Sequence, residues 1–299
     1  MSTTPATYAL PPPTNDTESA RLKLQHEFSL IDANGALHRC QLPSPLNRVA
    51  DIGTGTGIWA KAFAELHTEA QVTGLDLAAP PQNSSGTPPN VGFVTGNIQE
   101  AWPISPEHKF DLIHGRQILL NLPDPKAALR QAYKNLRPGG IIEFREWDCP
   151  MKCQVQEGRP LPLIIEWSER LRDSARILNG CDHEFSGQLA DAIKEVGFVD
   201  VNVETREFPI GGWLMGTDED DFGRQQKLDR MVRDMWQFGM GNMARTMFVK
   251  AFGWTETEAV EYAGKVLEDL EREDLARDKV SWGFKIVWAR KPAVGGHKL

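Results

Sequence analysis

The amino-acid sequence predicts an α/β protein: one seven-stranded, mostly parallel sheet, a helical insertion between its last two strands, and an N-terminal cap. Three observations lead there. From Arg48 onward, short apolar runs alternate with amphipathic stretches, which is the pattern of βαβ units. A glycine-rich turn, Gly53-Thr-Gly-Thr-Gly57, joins the first apolar run to the first amphipathic one. The chain has 299 residues, 40% of them hydrophobic, enough for one large domain with an ordinary buried core.

Residues 1–30 read as an N-terminal arm and cap helix. The stretch through Pro11-Pro-Pro-Thr-Asn-Asp16 can bury little. A helix over 18–28 then carries Leu22, Leu24 and Phe28 on a narrow apolar stripe, with Asn15, Asp16 or Thr17 as its cap. Residues 31–210 read as the core, with strands at 48–52, 71–76, 91–95, 110–114, 140–145 and 199–205. Helices at 58–67, 125–136, 163–178 and 186–196 are the expected crossovers, and a further helix is expected before the fourth strand. Arg137-Pro-Gly-Gly140 ends the second of these helices, because proline cannot continue it and glycine permits a left-handed turn. Residues 211–279 interrupt the alternation and are helical in pattern. Six of the eight methionines fall there (Met215, Met231, Met235, Met240, Met243 and Met247), beside Trp236, Phe238, Phe248, Phe252 and Trp254. Such a stripe suits a packed helical core. The other reading is an adaptable lid over an apolar ligand, or a homodimer surface, because thioether side chains re-pack easily. Residues 280–299 supply the last strand, at 282–289, and a tail.

Charge and composition narrow the function. With 33 basic against 41 acidic residues and a net charge of -8, no basic field exists to draw in phosphate backbones or anionic lipid. Neither nucleic acid nor a membrane is an expected partner. No apolar run approaches the roughly 20 residues that cross a bilayer, and Met1-Ser-Thr-Thr-Pro5 lacks the charged and apolar regions of a signal peptide. Cys40, Cys149, Cys153 and Cys181 are scattered without paired CxxC spacing, so a reduced, cytoplasmic protein with no metal site is expected. His183, beside Cys181 and Asp182, has no second metal ligand visible in sequence.

The chemistry concentrates in Val49-Ala-Asp-Ile-Gly-Thr-Gly-Thr-Gly-Ile-Trp-Ala60, which runs from strand to helix. Its glycines let the backbone approach a ligand, and the helix behind them offers free N–H groups and a positive dipole end. A dinucleotide fingerprint would need a small residue at position 58, where Ile58 stands, so a pyrophosphate is not admitted. Asp51 precedes the loop, where a cationic amino group is welcome and a phosphate is not. The second strand ends in Gly74-Leu-Asp-Leu77, which puts Asp76 where a carboxylate accepts both ribose hydroxyls. Together these describe an adenosyl amino acid.

Gly96-Asn-Ile98 follows the third strand, Phe110-Asp-Leu-Ile-His114 forms the fourth, and Leu136-Arg-Pro-Gly-Gly140 precedes the fifth. With Asp51 and Asp76, this set resembles motif I and the acidic second-strand residue of class I S-adenosylmethionine methyltransferases, whose sheet is Rossmann-like. The resemblance implies S-adenosyl-L-methionine as cofactor. Gly53, Thr54 and Gly55 would approach its methionine part, Asp51 its ammonium, Asp76 and Leu77 the ribose side, and Asn97 and Ile98 the adenine. Many relatives carry Asp where Asn97 stands, but the amide oxygen can still accept from the adenine amino group. Tyr8-Ala-Leu-Pro11, Glu18-x-x-Arg21-Leu-x-Leu-Gln25-His26, Ile113-His-x-Arg116 and the terminal Val287-Trp-Ala-Arg-Lys-Pro292 are similar to the fungal LaeA-like methyltransferases. That likeness spans nearly the whole chain and departs at 11–14 and 276–280. The family includes a regulator of secondary metabolism and many enzymes of secondary-metabolite clusters.

Tyr8 and Gln25 are expected to cap the cofactor, with His26 on the same helix. His114 and Arg116 follow the fourth strand at the carboxyl edge of the sheet, where ligands bind. His114 is the first candidate for a base, and it also counts among the cofactor contacts. Arg116, Glu146, Trp147 and Asp148 are candidates to orient the acceptor, and Trp213, Trp236 and Met240 of the insertion to cover it. The Asn/Asp-Pro-Pro-aromatic sequence common in enzymes that methylate nucleobase amines is absent after the fourth strand. The expectation is therefore methyl transfer to an oxygen or nitrogen of a hydrophobic small-molecule secondary metabolite. The alternatives are a LaeA-like regulator acting through a protein partner, and an enzyme that uses the bound cofactor's charge for a pericyclic or dehydration step.

Overall fold

The structure, a computed structural model, describes residues 16–80, 86–155, 157–213, 219–272 and 274–293. Seven strands form one sheet: β1 (Arg48–Ile52), β2 (Gln71–Asp76), β3 (Val91–Thr95), β4 (Phe110–Arg116), β5 (Leu136–Lys152), β6 (Val199–Pro209) and β7 (Ser281–Arg290). Their order is β3-β2-β1-β4-β5-β7-β6, and β7 alone runs antiparallel to its neighbours. The central strands read as continuous apolar runs because helices cover both faces of a parallel sheet. Val49, Ala50, Ile52, Leu112 and Ile113 are accordingly all buried.

The helices are α1 (Asp16–Asp32), α2 (Ile58–Leu66), α3 (Pro125–Asn135), α4 (Leu163–Asn179), α5 (Leu189–Val196), α6 (Glu219–Met243), α7 (Val249–Phe252) and α8 (Glu256–Leu270). Asp124 caps α3 through the Ala127 N–H at 2.9 Å, with Pro125 at its first turn. Thr255 and Glu258 form a capping box on α8. A π turn, Ala244–Phe248, joins α6 to α7. Strand positions and crossovers agree with the sequence pattern, but no helix forms over 96–109. Pro103 and Pro106 remove backbone donors there, and the Trp102 indole N–H instead donates to the Ile98 carbonyl at 3.1 Å. Among the described residues no helix is long and apolar enough to cross a membrane.

The Met-rich segment mostly packs as core. Met231, Met235, Met240 and Met247 are buried, and Trp167 of α4 lies 4.8 Å from Phe248, ring centre to ring centre. Thus α4 serves the helical layer as much as the sheet.

Helix α1 is longer than its apolar stripe suggests, and the expected boundary at residue 30 falls inside it. Phe28 has no exposure and packs on Phe208 at 4.9 Å and Trp147 at 5.5 Å. At the helix end, Asp32 accepts from Arg206 at 3.0 and 3.1 Å and faces Arg145 at 3.4 Å. Burial pushes the Arg145 guanidinium down to about 9, still cationic near neutral pH. Removing the carboxylate would strand that buried charge. Asp32→Ala should therefore cost about 3 to 5 kcal/mol in urea unfolding, and a loss below about 1 kcal/mol would show that the pair does not hold the helix.

Candidate functional site

Strand order reverses between β1 and β4, and ligands of open α/β sheets sit at the carboxyl ends of the strands beside such a reversal. A cavity of about 380 Å³ opens at that edge. A narrower one of about 50 Å³ adjoins it, sharing Leu22, Gln25, Gly53, Gly55 and Arg116 as walls. Helix α1 supplies part of the wall through Glu18, Arg21, Leu22 and Gln25, and Arg21 pairs with Glu18 at 2.6 and 2.8 Å.

The glycine loop is tied to β2, since the Gly53 and Thr54 N–H groups both donate to the Leu75 carbonyl, at 2.8 and 3.2 Å. At Gly55, φ is +55° and an added Cβ would meet only Leu22 Cδ1, at 3.7 Å. The position is left-handed and faces the cavity, so a side chain there would be strained and would fill the cleft. Asp76 is fixed by two backbone donors, Gly55 N–H to Oδ2 at 2.9 Å and Ala78 N–H to Oδ1 at 3.0 Å. Each oxygen retains a lone pair for a further donor. Asn97 accepts from the Gln99 N–H at 3.0 Å and donates to Glu100 at 2.9 Å, which holds its amide in the turn after β3.

In the narrow end, Asp51 Oδ2 accepts from the Thr54 hydroxyl at 2.7 Å, and Oδ1 lies 2.9 Å from His114 Nδ1. The His114 ring stacks on Trp59, with centroids 3.8 Å apart and planes 2° from parallel. Burial pushes His26 down to about 4, helped by the neighbouring Arg116, so its ring is neutral near pH 7. Its Nδ1 can then accept from the Arg116 guanidinium at 3.4 Å. Burial also pushes Arg116 down to about 10, which leaves it cationic and without an ion pair among the described residues.

The wide end is aromatic. Trp147 and Trp282 stack at 3.9 Å with planes 15° apart, beside Leu171, Cys149 and Met243. Glu146 has no exposure. Its Oε1 accepts from the Ile118 and Leu119 N–H groups at 3.0 and 2.9 Å, its Oε2 has no partner among the described residues, and burial pushes the carboxyl up to about 8.

The cavities bring together Gln25, Asp51, Gly53, Thr54, Gly55, Asp76, Leu77, Asn97, Ile98, His114, Arg116, Glu146 and Trp147. Tyr8 lies outside the described residues. Four expected contacts line neither cavity. Asp148 is occupied by Ser186 at 2.5 Å and Lys285 at 3.2 Å, and the Trp213 indole donates to the Val280 carbonyl at 2.6 Å. Met240 has no exposure, and Trp236 is buried 5.4 Å from Trp282, a layer behind the wall. Met243, Trp282 and His183 line the wide end instead. His183 is buried, its Nδ1 has no partner among the described residues, and burial pushes it down to about 4. Nothing local in the sequence marks it as a wall residue.

A family profile described as a methyltransferase domain matches residues 21–203, more than half the chain and ending before the insertion. The chain belongs to that family. The methyltransferase is 28% identical to the probable methyltransferase tdiE of Emericella nidulans over 94% of this chain and 84% of the relative. It is also 28% identical to methyltransferase pytC of Aspergillus terreus, over 94% and 83% of the two chains. The secondary metabolism regulator laeA of Aspergillus fumigatus is 25% identical over 94% of this chain and 72% of the relative. These likenesses agree with the LaeA-like motifs of the sequence.

The state of Glu146 can be read from stability. Its folded-state pKa lies above its ordinary 4.5, so the folded protein keeps a proton that the unfolded chain releases. The group's contribution is fully present below about pH 4.5 and is lost as pH rises through about 8. Glu146→Gln removes that titration. Urea unfolding at about pH 5 and about pH 8 should show the variant gaining on the wild type at the higher pH, and an unchanged difference would contradict a neutral carboxyl.

Proposed function

We propose that the methyltransferase binds S-adenosyl-L-methionine along the glycine loop and carries its methyl group to an oxygen or nitrogen of a hydrophobic small-molecule secondary metabolite. The observation that carries this reading is the continuity of the cavity, from Asp51, Gly55 and Asp76 at one end to Trp147, Trp282 and Met243 at the other. Its volume of about 380 Å³ falls within the ~300 to 1,000 Å³ usual for ligand sites.

The residues present fit the cofactor. Asp76 keeps acceptor capacity for ribose hydroxyls, Asn97 and Ile98 border the adenine side, and Leu77, 47% exposed, offers an apolar edge there. Asp51 suits an ammonium. Arg116, cationic and without a carboxylate partner among the described residues, suits the carboxylate of the same amino acid end. When bound, the cofactor supplies an electrophilic methyl on a sulfonium. The protein's own task is then alignment and exclusion of water, a proximity effect that contributes several kcal/mol or more. Helix α1 covers the cleft, and the indole pair gives the acceptor a flat wall.

His114 has a different role in this reading from that of a base. Its Nδ1 lies against Asp51 and its face is covered by Trp59, away from the aromatic end, so it holds Asp51 in place. Similarity to laeA is the ground for a second reading, a regulator that acts through a protein partner.

Incubating the protein with fungal extract and methyl-labelled S-adenosylmethionine should yield a labelled small molecule together with S-adenosylhomocysteine. Label on protein alone would favour the regulator. Asp76→Ala removes charge-assisted bonds and should weaken cofactor affinity by about ten- to a hundredfold in calorimetry, with unchanged affinity rejecting the assignment. His114→Ala should raise the KM for the cofactor more than it lowers kcat, and the reverse split would restore it as a base.

A further inference from the structure

The wide end holds polar atoms whose partners are missing. Gln117 Oε1, Glu146 Oε2, His183 Nδ1 and Trp282 Nε1 are all buried without a hydrogen bond among the described residues, and all four side chains line this one cavity. Buried polar groups are ordinarily paired, so four left unpaired around one space point to partners that arrive with a ligand.

The same space carries little net charge. At its mouth Arg21 and Glu18 satisfy each other at 2.6 Å, and behind it Asp148 is neutralised by Lys285 at 3.2 Å. Burial keeps the Glu146 carboxyl protonated at neutral pH, where it can donate, and keeps the His183 imidazole neutral, where it can accept. With Arg116 of the narrow end engaged by the cofactor's carboxylate, a charged acceptor would lose its hydration there and find no counter-ion. Trp147 and Trp282, stacked on each other, both line this end and give it an aromatic surface that suits an aromatic ring.

We infer that the acceptor is an uncharged, planar aromatic molecule bearing a hydroxyl group, which lies against Trp147 and Trp282, hydrogen-bonds Glu146 and presents its hydroxyl to His183. The inference rests on the methyltransferase reading of this cavity and narrows its substrate class. In the transfer, the hydroxyl oxygen forms the new C–O bond while the sulfonium C–S bond breaks with its electron pair remaining on sulfur. The hydroxyl proton passes to the His183 imidazole and then to solvent, so the positive charge that sulfur loses leaves as that proton. A neutral imidazole suffices because the oxygen becomes strongly acidic as the bond forms.

The test is calorimetry on the full chain, first with S-adenosylhomocysteine and then, at saturation, with naphthalene probes. Failure to bind S-adenosylhomocysteine would reject the methyltransferase reading itself. With that binding in place, 1-naphthol should bind at least about tenfold tighter than naphthalene, which lacks the hydroxyl, and than 1-naphthoate or 1-naphthylmethylammonium, which are charged. No binding of 1-naphthol, or equal binding of the four probes, overturns the inference. His183→Phe should lose about tenfold in 1-naphthol affinity while keeping its affinity for S-adenosylhomocysteine, and His183→Asn, which preserves a polar side chain, should lose less. Should either variant bind 1-naphthol as the wild type does, the role of His183 is overturned, and the probe series on the unmodified chain decides the rest.

Discussion

Asp32 has no solvent exposure, yet it ends a helix whose other turns line the functional cleft. Its carboxylate meets Arg206 and Arg145, with Arg39 at 3.9 Å, so two strands distant in sequence and the segment just after the helix converge on one anion. The Arg145 guanidinium in turn lies 3.6 Å over the Phe284 ring, which fixes the cation against β7. Glu143, two residues earlier on β5, accepts from the Arg39 and Cys40 N–H groups at 2.7 to 3.0 Å and secures the segment after α1. A buried pair of this kind is weak evidence for net stability, but its geometric demand is strict. Together with the packing of Phe28, it fixes Glu18, Arg21, Leu22 and Gln25 relative to the glycine loop.

That constraint explains why the cleft wall is helical rather than a flexible tail. Phe28 fills the sheet face while Leu22 and Gln25, on the same helix, reach the cavity, so packing and ligand contact come from one rigid element. Ligand contacts on rigid elements are held more precisely than those on loops. The narrow end shows the same economy, because Asp51, Thr54, His114 and Trp59 form a chain of contacts from strand to loop to helix.

The fold and the geometry of the glycine-loop end of the cleft were legible because their signals are short-range. Gly55 must be glycine for a left-handed backbone that faces the cleft, and Asp76 must end a strand one register step from the loop it supports. Both requirements fall within a βαβ unit and leave local marks. The missing helix at 96–109 was a local misreading, since Pro103 and Pro106 already argue against it. The methionines of the insertion misled for another reason. Periodicity shows that a helix buries a face but not what it buries it against, and Met240 meets core where Met243, nearly one turn on, meets the cavity.

The aromatic end of the cleft was not legible, and the cause lies in how it is assembled. Trp147 comes from the end of β5, Trp282 from the start of β7, His183 from the loop before α5 and Met243 from the end of α6. No two of them are neighbours in sequence, and none sits in a pattern that its own backbone conformation requires. The family match ends at residue 203, so two of the four walls, Met243 and Trp282, lie beyond it. A glycine-loop end built from local backbone requirements and an aromatic end built from distant side chains can therefore vary independently: the first is constrained by the geometry of one loop, whereas the second changes with any substitution that reshapes an aromatic wall without disturbing the sheet beneath it.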